Sequence, residues 1–311
     1  MIASSIIHYF PKSYEVVVSP DGRFLCRTIG TKLYVYHMNS MNEAAVLSHP
    51  KNPGHIAFTE DGTYLLVQNT SGSMFVFETQ TFQLVRTIRS TKKVNYQEER
   101  FTPVRTGETY LASAKIENDI YLMKIGIKTG AAVSKGKWKG IRLSFQQKLP
   151  NQHVYLYTLL YVDEQTDLYR TALLRVSEDG EKIDTLAELH SSWKRVFYIE
   201  KRNRYICVAN DEMIVFDPAK QQAEKSIPFP STPFHSYMAD AVLSPDQNLL
   251  VAAASNMVVL YESDSLAELD RWETPYVQSV HFSEDGRYLL VGTWKNGCVM
   301  DTACWPEEKR W

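Results

Sequence analysis

Short apolar runs separated by polar turns repeat along the whole chain. One pattern recurs: an alternating strand, a turn with Asp-Gly or an equivalent, a second apolar strand, a polar break and a third apolar strand. The runs are rich in Val, Ile, Leu, Tyr and Phe, which favour strands. The clear copies cover residues 15–36, 55–77, 239–261 and 279–300, and the weaker copies cover residues 100–123, 141–176 and 195–216. This pattern predicts an all-β protein built from one repeated unit.

The spacing of the turns indicates seven units. The six intervals between turn positions are 40, 45, 44, 52, 44 and 39 residues, measured from Asp21 through Asp61, Thr106, Pro150, Arg202 and Asp246 to Asp285. Four short strands fill a repeat of about this length, and such sheets must stack around an axis to bury both faces. The sequence therefore predicts a single seven-bladed β-propeller domain over residues 1–311, with four-stranded antiparallel blades at about 15–47, 55–88, 96–135, 141–189, 193–228, 238–272 and 277–302 plus 4–10.

The ends of the chain suggest how the ring of blades closes. The last unit has three strands without a convincing fourth, whereas residues 4–10 form an apolar strand before the first unit. We expect this N-terminal strand to complete the last blade as its outermost strand, because that pairing removes an open sheet edge.

The repeats resemble those of the WD40-like and YVTN-like β-propellers. The resemblance is carried by VVVSPDGRFL, HIAFTEDGTYLLV, AVLSPDQNLLV and SVHFSEDGRYLLVG, and the repeats cover nearly the whole chain. Two departures mark a divergent member: no Trp-Asp dipeptide closes a third strand, with Phe216-Asp217 as the nearest substitute, and Gly-His occurs only as Gly54-His55. The resemblance implies a rigid interaction platform most often and an enzyme less often.

Composition and charge narrow the class of protein. Thirty-four Lys and Arg against 36 Asp and Glu give a net charge of −2, and the four cysteines form no CxxC pair. The first ten residues lack the basic and apolar regions of a signal peptide. The longest apolar stretch, residues 155–162, is far shorter than the ~18 residues of a membrane span. We expect a soluble, cytoplasmic protein without a membrane partner, and cysteines that act as buried small hydrophobic residues.

Signatures of catalysis are missing from the sequence. There is no GxSxG, GxxxxGK[ST], GxGxxG or HExxH motif. The eight histidines never stand two or four residues apart, so no local metal clamp is predicted, and no cofactor or catalytic residue is assigned. Glu98-Glu99 lies in a predicted loop, where neighbouring side chains point to opposite sides and do not form an acid–base pair. A propeller can still assemble a site from single residues of several blades, so an enzyme remains an alternative.

Irregular segments define the predicted docking face. In a four-stranded meander, the loops between strands two and three share one face with the connections between blades. Residues 89–99, 136–140, 190–194, 229–238, 272–276 and 293–296 are expected there. Aromatic residues interleaved with lysines are typical of anchor-rich recognition surfaces. The predicted partner-binding residues are Trp138, Trp193, Phe234, Tyr237, Tyr276, Trp294, Lys137, Lys139, Lys194 and Lys295. The competing interpretation is that these aromatic side chains fold inward and fill the loops and channel.

The charge is unevenly distributed along the chain. Residues 1–155 carry 19 basic and 11 acidic side chains, a balance of +8, and residues 156–311 carry 15 and 25, a balance of −10. The segment 120–162 contains no acid and seven bases: Lys124, Lys128, Lys135, Lys137, Lys139, Arg142 and Lys148. An acidic protein or an anionic ligand would suit such a region, whereas nucleic acid is disfavoured because it needs a stronger basic excess.

These observations together favour a non-enzymatic scaffold that binds a protein partner through one loop face. Two alternatives stay open. The first is a hydrolase-like or lactonase-like propeller enzyme with its site at the mouth of the central channel. The second is a sensor of polyanions or small ligands at the basic third blade.

Overall fold

A computed structural model describes residues 2–189, 193–220, 222–229 and 238–305. Within these ranges the chain forms seven antiparallel blades arranged as a β-propeller, which confirms the predicted fold class. Each blade has four strands, and the third carries one additional short strand. No helix in this described part is long and apolar enough to cross a membrane. Two compact units are distinguished, residues 1–48 with 197–311 and residues 49–196.

The strands follow in chain order. The N-terminal strand β1 covers Ile6–Pro11, and blade 1 contains β2 Val16–Val18, β3 Phe24–Ile29, β4 Lys32–His37 and β5 Glu43–Leu47. Blade 2 contains β6 Pro53–Phe58, β7 Tyr64–Asn69, β8 Met74–Glu78 and β9 Leu84–Ile88. Blade 3 contains β10 Asn95–Tyr96, β11 Thr102–Pro103, β12 Thr109–Ile116, β13 Asp119–Gly126 and β14 Ala132–Lys139. Blade 4 contains β15 Arg142–Leu149, β16 Val154–Val162, β17 Tyr169–Ser177 and β18 Ile183–Leu189.

The remaining blades use similar strands. Blade 5 contains β19 Arg195–Ile199, β20 Arg204–Val208, β21 Glu212–Asp217 and β22 Gln222–Pro228. Blade 6 contains β23 Met238–Leu243, β24 Leu249–Ala254, β25 Met257–Glu262 and β26 Glu268–Glu273. Blade 7 contains β27 Val277–Phe282, β28 Tyr288–Thr293 and β29 Asn296–Asp301. Single 3-10 turns occur at Ile2–Ser5, Pro150–Gln152, Glu200–Arg202 and Thr302–Cys304.

The Asp-Gly turns are built by the hydrogen bonds that their residue types predict. The carboxylate of Asp61 accepts from the Thr59 hydroxyl at 2.6 Å and from the Thr63 amide at 3.0 Å. Gly62 then adopts φ +67°, a conformation that favours glycine. Burial opposes ionisation of Asp61, but the hydrogen bonds from Thr59 and Thr63 hold its pKa below the usual value. The same arrangement recurs at Asp285, so one turn chemistry serves several blades.

The N-terminal strand closes the last blade, as predicted. The order of the blade 7 sheet is β1-β29-β28-β27, and β1 pairs antiparallel with β29 from Ile6 opposite Met300 to Pro11 opposite Asn296. Within β1 the side chain of Phe10 is only 6% exposed, whereas that of Tyr9 is 63% exposed. β1 therefore has one buried and one solvent-exposed face.

Apolar side chains fill the space between sheets within each unit. One cluster in residues 49–196 includes Leu111, Ile120 and Tyr157, and all three are fully buried. Cys26, Cys207 and Cys298 are also buried, and burial raises the pKa of the Cys207 and Cys298 thiols to about 12. The expectation that these three cysteines act as buried apolar residues is confirmed, while Cys304 is exposed.

Candidate functional site

Two of the predicted partner-binding aromatics lie on neighbouring segments of the unit formed by residues 1–48 and 197–311. Tyr276 and Trp294 are 56% and 58% exposed, and the Trp294 amide donates to the Tyr276 carbonyl at 3.0 Å. The ring of Tyr14 stacks on Trp294, with 5.0 Å between ring centroids and 28° between planes. Three segments that are distant in sequence thus bring aromatic side chains to one exposed place.

Local hydrogen bonds fix the backbone that carries these rings. In the turn between β28 and β29, the Thr293 hydroxyl accepts from the Lys295 amide at 3.0 Å. The Thr293 amide donates to the Ser13 carbonyl at 2.8 Å, which joins this turn to the segment that carries Tyr14. Tyr276 adopts φ +62°, a conformation that non-glycine residues rarely take. The aromatic side chains are therefore presented by a well-connected backbone.

Two lysines border the aromatic rings. The Lys12 amide donates to the Lys295 carbonyl at 2.8 Å, so the two residues are neighbours. Both are exposed, and neither forms an ion pair with any carboxylate in residues 2–189, 193–220, 222–229 and 238–305. We call Lys12, Tyr14, Tyr276, Trp294 and Lys295 together the Tyr276–Trp294 surface.

A buried guanidinium adds positive charge next to this surface. Arg27 is only 8% exposed and donates to the Ser13 hydroxyl at 3.1 Å and to the Tyr36 hydroxyl at 2.9 Å. Within the described part of the chain it has no carboxylate partner, and its guanidinium lies 5.1 Å from the Tyr36 ring centroid. The nearby Glu15 is bonded to His281 at 3.1 Å instead. Buried arginines are usually paired, so the charge of Arg27 is left for another group to balance.

Trp193 is not part of an exposed surface. Its side chain is 5% exposed, and Lys194 beside it is half-buried, both in the unit of residues 49–196. For Trp193 the structure agrees with the competing interpretation, in which the aromatic side chain folds inward. The Trp193 Nε1 has no hydrogen-bond partner among the described residues.

Residues 136–139 of the predicted loop segment 136–140 belong to a strand, which corrects the sequence prediction. Lys137, Trp138 and Lys139 lie in β14, the outermost strand of blade 3. Trp138 is half-buried and packs against the apolar cluster of blades 3 and 4. The Lys137 ammonium lies 2.8 Å from the Asp119 carboxylate, and hydrogen bonding to Asp119 raises its pKa. Lys139 is exposed and lies 3.5 Å from Glu164. The alternation of lysine with tryptophan therefore reflects a half-buried edge strand.

Two predicted residues, Phe234 and Tyr237, lie outside the described residues. The sequence interpretation missed Tyr14, and it also missed an exposed apolar group in blade 4. Val162, Leu168 and Tyr169 are exposed around the turn between β16 and β17. The sequence signal that could have revealed this group is the pair of apolar segments on either side of the polar stretch 163–167.

Most of the basic side chains in residues 120–162 are paired. Lys135 contacts Glu181, Lys148 contacts Glu60, and the Arg142 Nε lies 3.5 Å from Glu99. Lys137 and Lys139 are paired with Asp119 and Glu164, as described above. The partners come from outside the stretch, so its excess of positive charge is largely neutralised where it lies. A polyanion would find little free charge there.

A metal-binding cluster does not emerge from the residues described. Among them, no three His, Cys, Asp or Glu side chains are grouped closely enough to hold a metal ion. Burial raises the pKa of Glu99, although Arg142 and a 2.7 Å hydrogen bond from the Ser144 hydroxyl oppose this rise. Burial and repulsion from Glu99 also raise the pKa of Glu98. The Glu99 carboxylate is bound by its own neighbours, as in a structural ion pair.

Among the comparisons with known proteins, the one with solved structures supports the fold and goes no further. No family model and no curated protein matches the chain. Many solved structures match, among them a chain of the hydrazine synthase of Kuenenia stuttgartiensis, with a TM-score of 0.71 and 15% sequence identity. The match covers 94% of this chain and 96% of that one. At this identity the similarity shows the β-propeller fold alone.

Proposed function

We propose that this protein is an interaction platform that binds a protein partner through the Tyr276–Trp294 surface. The observation that carries the proposal is the exposure of Tyr276 and Trp294 next to the stacked ring of Tyr14. Large aromatic side chains are the most frequent anchors of protein interfaces, and a backbone that already holds them lowers the entropic cost of binding. No metal-holding cluster of His, Cys, Asp or Glu side chains is present among the described residues.

The partner segment is acidic in this proposal. Lys12 and Lys295 border the aromatic side chains, Arg27 is buried behind Ser13, and none of the three has a carboxylate partner in the described part of the chain. Complementary charge speeds association and selects partners. A partner with carboxylates beside an apolar anchor would match both features of the surface.

Affinity capture with matched variants tests this function. The bait variant Y276A/W294A removes both exposed anchors, and L168S/Y169S removes two exposed apolar side chains elsewhere and serves as control. We expect a protein that the wild type and the control retain and that Y276A/W294A loses. With the purified partner, Trp294→Ala should weaken binding by about 2 kcal/mol, roughly thirtyfold in Kd.

Charge variants then test the acidic character of the partner. The double variant K12E/K295E should weaken binding of the same purified protein and reduce its salt dependence, because rim charges mainly affect association. If no captured protein distinguishes Y276A/W294A from the control, the platform function at this surface is wrong. If the partner binds K12E/K295E as tightly as the wild type, the partner is not selected by acidic charge.

Two finer assignments belong to the proposal as well. The Asp-Gly repeats are those of a divergent WD40-like or YVTN-like propeller, and a scaffold of that kind would act in the cytoplasm. A measurement of localisation with a fluorescent fusion tests the second assignment, since a signal at a membrane or outside the cell would contradict it.

A further inference from the structure

An open cleft lies between the third and fourth blades, within residues 49–196. Its volume is about 380 Å³, in the range of small-molecule sites. The lining residues come from four segments: Val104, Thr106, Lys124, His153, Ser177, Glu178 and Asp179. His153 and Glu178 also line an adjoining recess of about 10 Å³, together with Arg105, Lys148, Leu149, Val154 and Tyr155. The recess has about the volume that one water-sized group needs.

Two buried oxygen atoms at the recess lack a hydrogen-bond partner. The Tyr155 side chain is only 1% exposed, and its hydroxyl lies near the Arg105 amide without reaching hydrogen-bond geometry. One oxygen of the Glu178 carboxylate lies within hydrogen-bond distance of His153 Nδ1, at 3.2 Å. The other oxygen has no hydrogen-bond partner among the described residues. Leaving such atoms unsatisfied is costly. A carboxylate only accepts, so the group that fits between these atoms must donate hydrogen bonds.

Two cations, Lys124 in the cleft and Arg105 at the recess, form no ion pair within 4 Å in the part of the chain described. The Lys124 ammonium donates to the backbone carbonyl of Asp179, at 3.2 Å, and its charge helps to lower the pKa of the Asp179 carboxyl. The Arg105 guanidinium contacts His153 Nδ1 at 3.5 Å. Lys148, in contrast, is paired with Glu60, and the Asp179 carboxylate is bound by the Ser177 hydroxyl at 2.5 Å. The free groups are therefore two positive side chains and a buried pair of hydrogen-bond acceptors.

We propose that this cleft binds a small zwitterion of the α-amino acid class. Its ammonium group occupies the recess and donates to the Glu178 carboxylate and the Tyr155 hydroxyl. Its carboxylate lies in the wider cleft and pairs with Lys124 of the cleft and with Arg105 of the recess. The pairing of Lys148 with Glu60 and of Arg105 with the bound carboxylate weakens the repulsion that these two cations exert on the ammonium. The site is independent of the Tyr276–Trp294 surface and adds a ligand to the proposed platform.

The ligand class is tested by thermal unfolding and calorimetry with the standard L-amino acids. At least one should raise the melting temperature of the full chain in proportion to its concentration, as expected for a ligand of the folded state. Derivatives of the best amino acid then separate its two charges. The N-acetyl form, the amide and the corresponding 2-hydroxy acid should each bind at least about tenfold more weakly, because each loses one charged group. Equal binding of the 2-hydroxy acid would overturn the assignment of the ammonium, and no binding by any amino acid would overturn the proposal.

Variants test the assigned residues. Lys124→Met and Glu178→Gln should each reduce the affinity at least about tenfold, whereas the control Lys128→Met, which changes an exposed lysine outside the cleft, should not. Tyr155→Phe separates binding from stability. Since the Tyr155 hydroxyl has no hydrogen-bond partner, the free variant should be as stable as the wild type or more stable, yet bind more weakly. Unchanged affinity in both Tyr155→Phe and Glu178→Gln would refute the site.

Discussion

The closing contact of the N-terminal strand can be tested at a single side chain. Phe10 points inward from β1, packs in a buried cluster with Leu25 and Val299, and is only 6% exposed. Removing a buried phenylalanine side chain costs about 3–5 kcal/mol. The Arg27 guanidinium lies 4.9 Å from the Phe10 ring centroid, and a desolvated cation–π contact adds up to about 2 kcal/mol. We therefore expect Phe10→Ala to lower the free energy of unfolding by about 4 kcal/mol.

The neighbouring residue provides the matched control. Tyr9 belongs to the same strand but is 63% exposed on its outer face, so Tyr9→Ala should change stability by less than about 0.5 kcal/mol beyond strand propensity. Equilibrium urea unfolding followed by circular dichroism measures both variants, with the midpoint and the slope fitted separately. Similar stabilities of Phe10→Ala and Tyr9→Ala would refute the reasoning, because the closing strand would then add no packing energy from its buried face.

Three further predictions concern other buried or hydrogen-bonded side chains. Arg27→Met removes the hydrogen bonds to Ser13 and Tyr36 and should lower the free energy of unfolding by about 2–4 kcal/mol in the same urea assay. An unchanged stability would show that these bonds contribute little. Trp193→Phe removes an Nε1 group without a partner and should leave the unfolding midpoint unchanged or raise it, whereas a large loss would mean that Nε1 is bonded after all. The pKa of Asp61 is lowered in the folded state, so its contribution to stability is present above pH 3.8 and is lost as the pH falls through the folded-state value. The variant Asp61→Asn should therefore lose less stability than the wild type between about pH 5 and about pH 3, and parallel curves would contradict this.

The sequence predicted the fold because its signals are local. Asp-Gly turns such as Asp61-Gly62 mark the period, and the orphan strand at residues 4–10 is already visible before the first repeat. The number of blades follows from counting the repeats. The closure follows from the missing fourth strand of the last repeat and the extra strand before the first. The candidate site was less predictable, since burial of Trp193 depends on packing between strands that the repeat pattern does not specify. Trp138 was assigned to a loop because residues 136–140 depart from the repeat pattern, although Trp138 lies in the edge strand β14.

Charge was the property least readable from the sequence. The acid-free stretch 120–162 looked strongly basic, yet Glu60, Glu99 and Glu181 come from elsewhere in the chain to pair with its bases. Conversely, Lys12 and Lys295 are 283 positions apart and unremarkable alone, but a backbone hydrogen bond joins them. Net charge along a sequence window therefore says little about the field at a surface of a repeat protein.

The pairing of charged side chains differs between the two exposed apolar groups, the one around Leu168 and Tyr169 and the one around Tyr276 and Trp294. Around Leu168 and Tyr169, the nearby cation Arg170 is already paired with Asp163 at 2.6 Å. Around Trp294, the lysines and the buried Arg27 lack a carboxylate partner in the described residues. An acidic partner would gain apolar contact at the blade 4 group, whereas near Trp294 it would also balance positive charge that the fold leaves uncompensated. We therefore expect uncompensated charge beside exposed aromatic side chains to be the better guide to a docking site on this propeller.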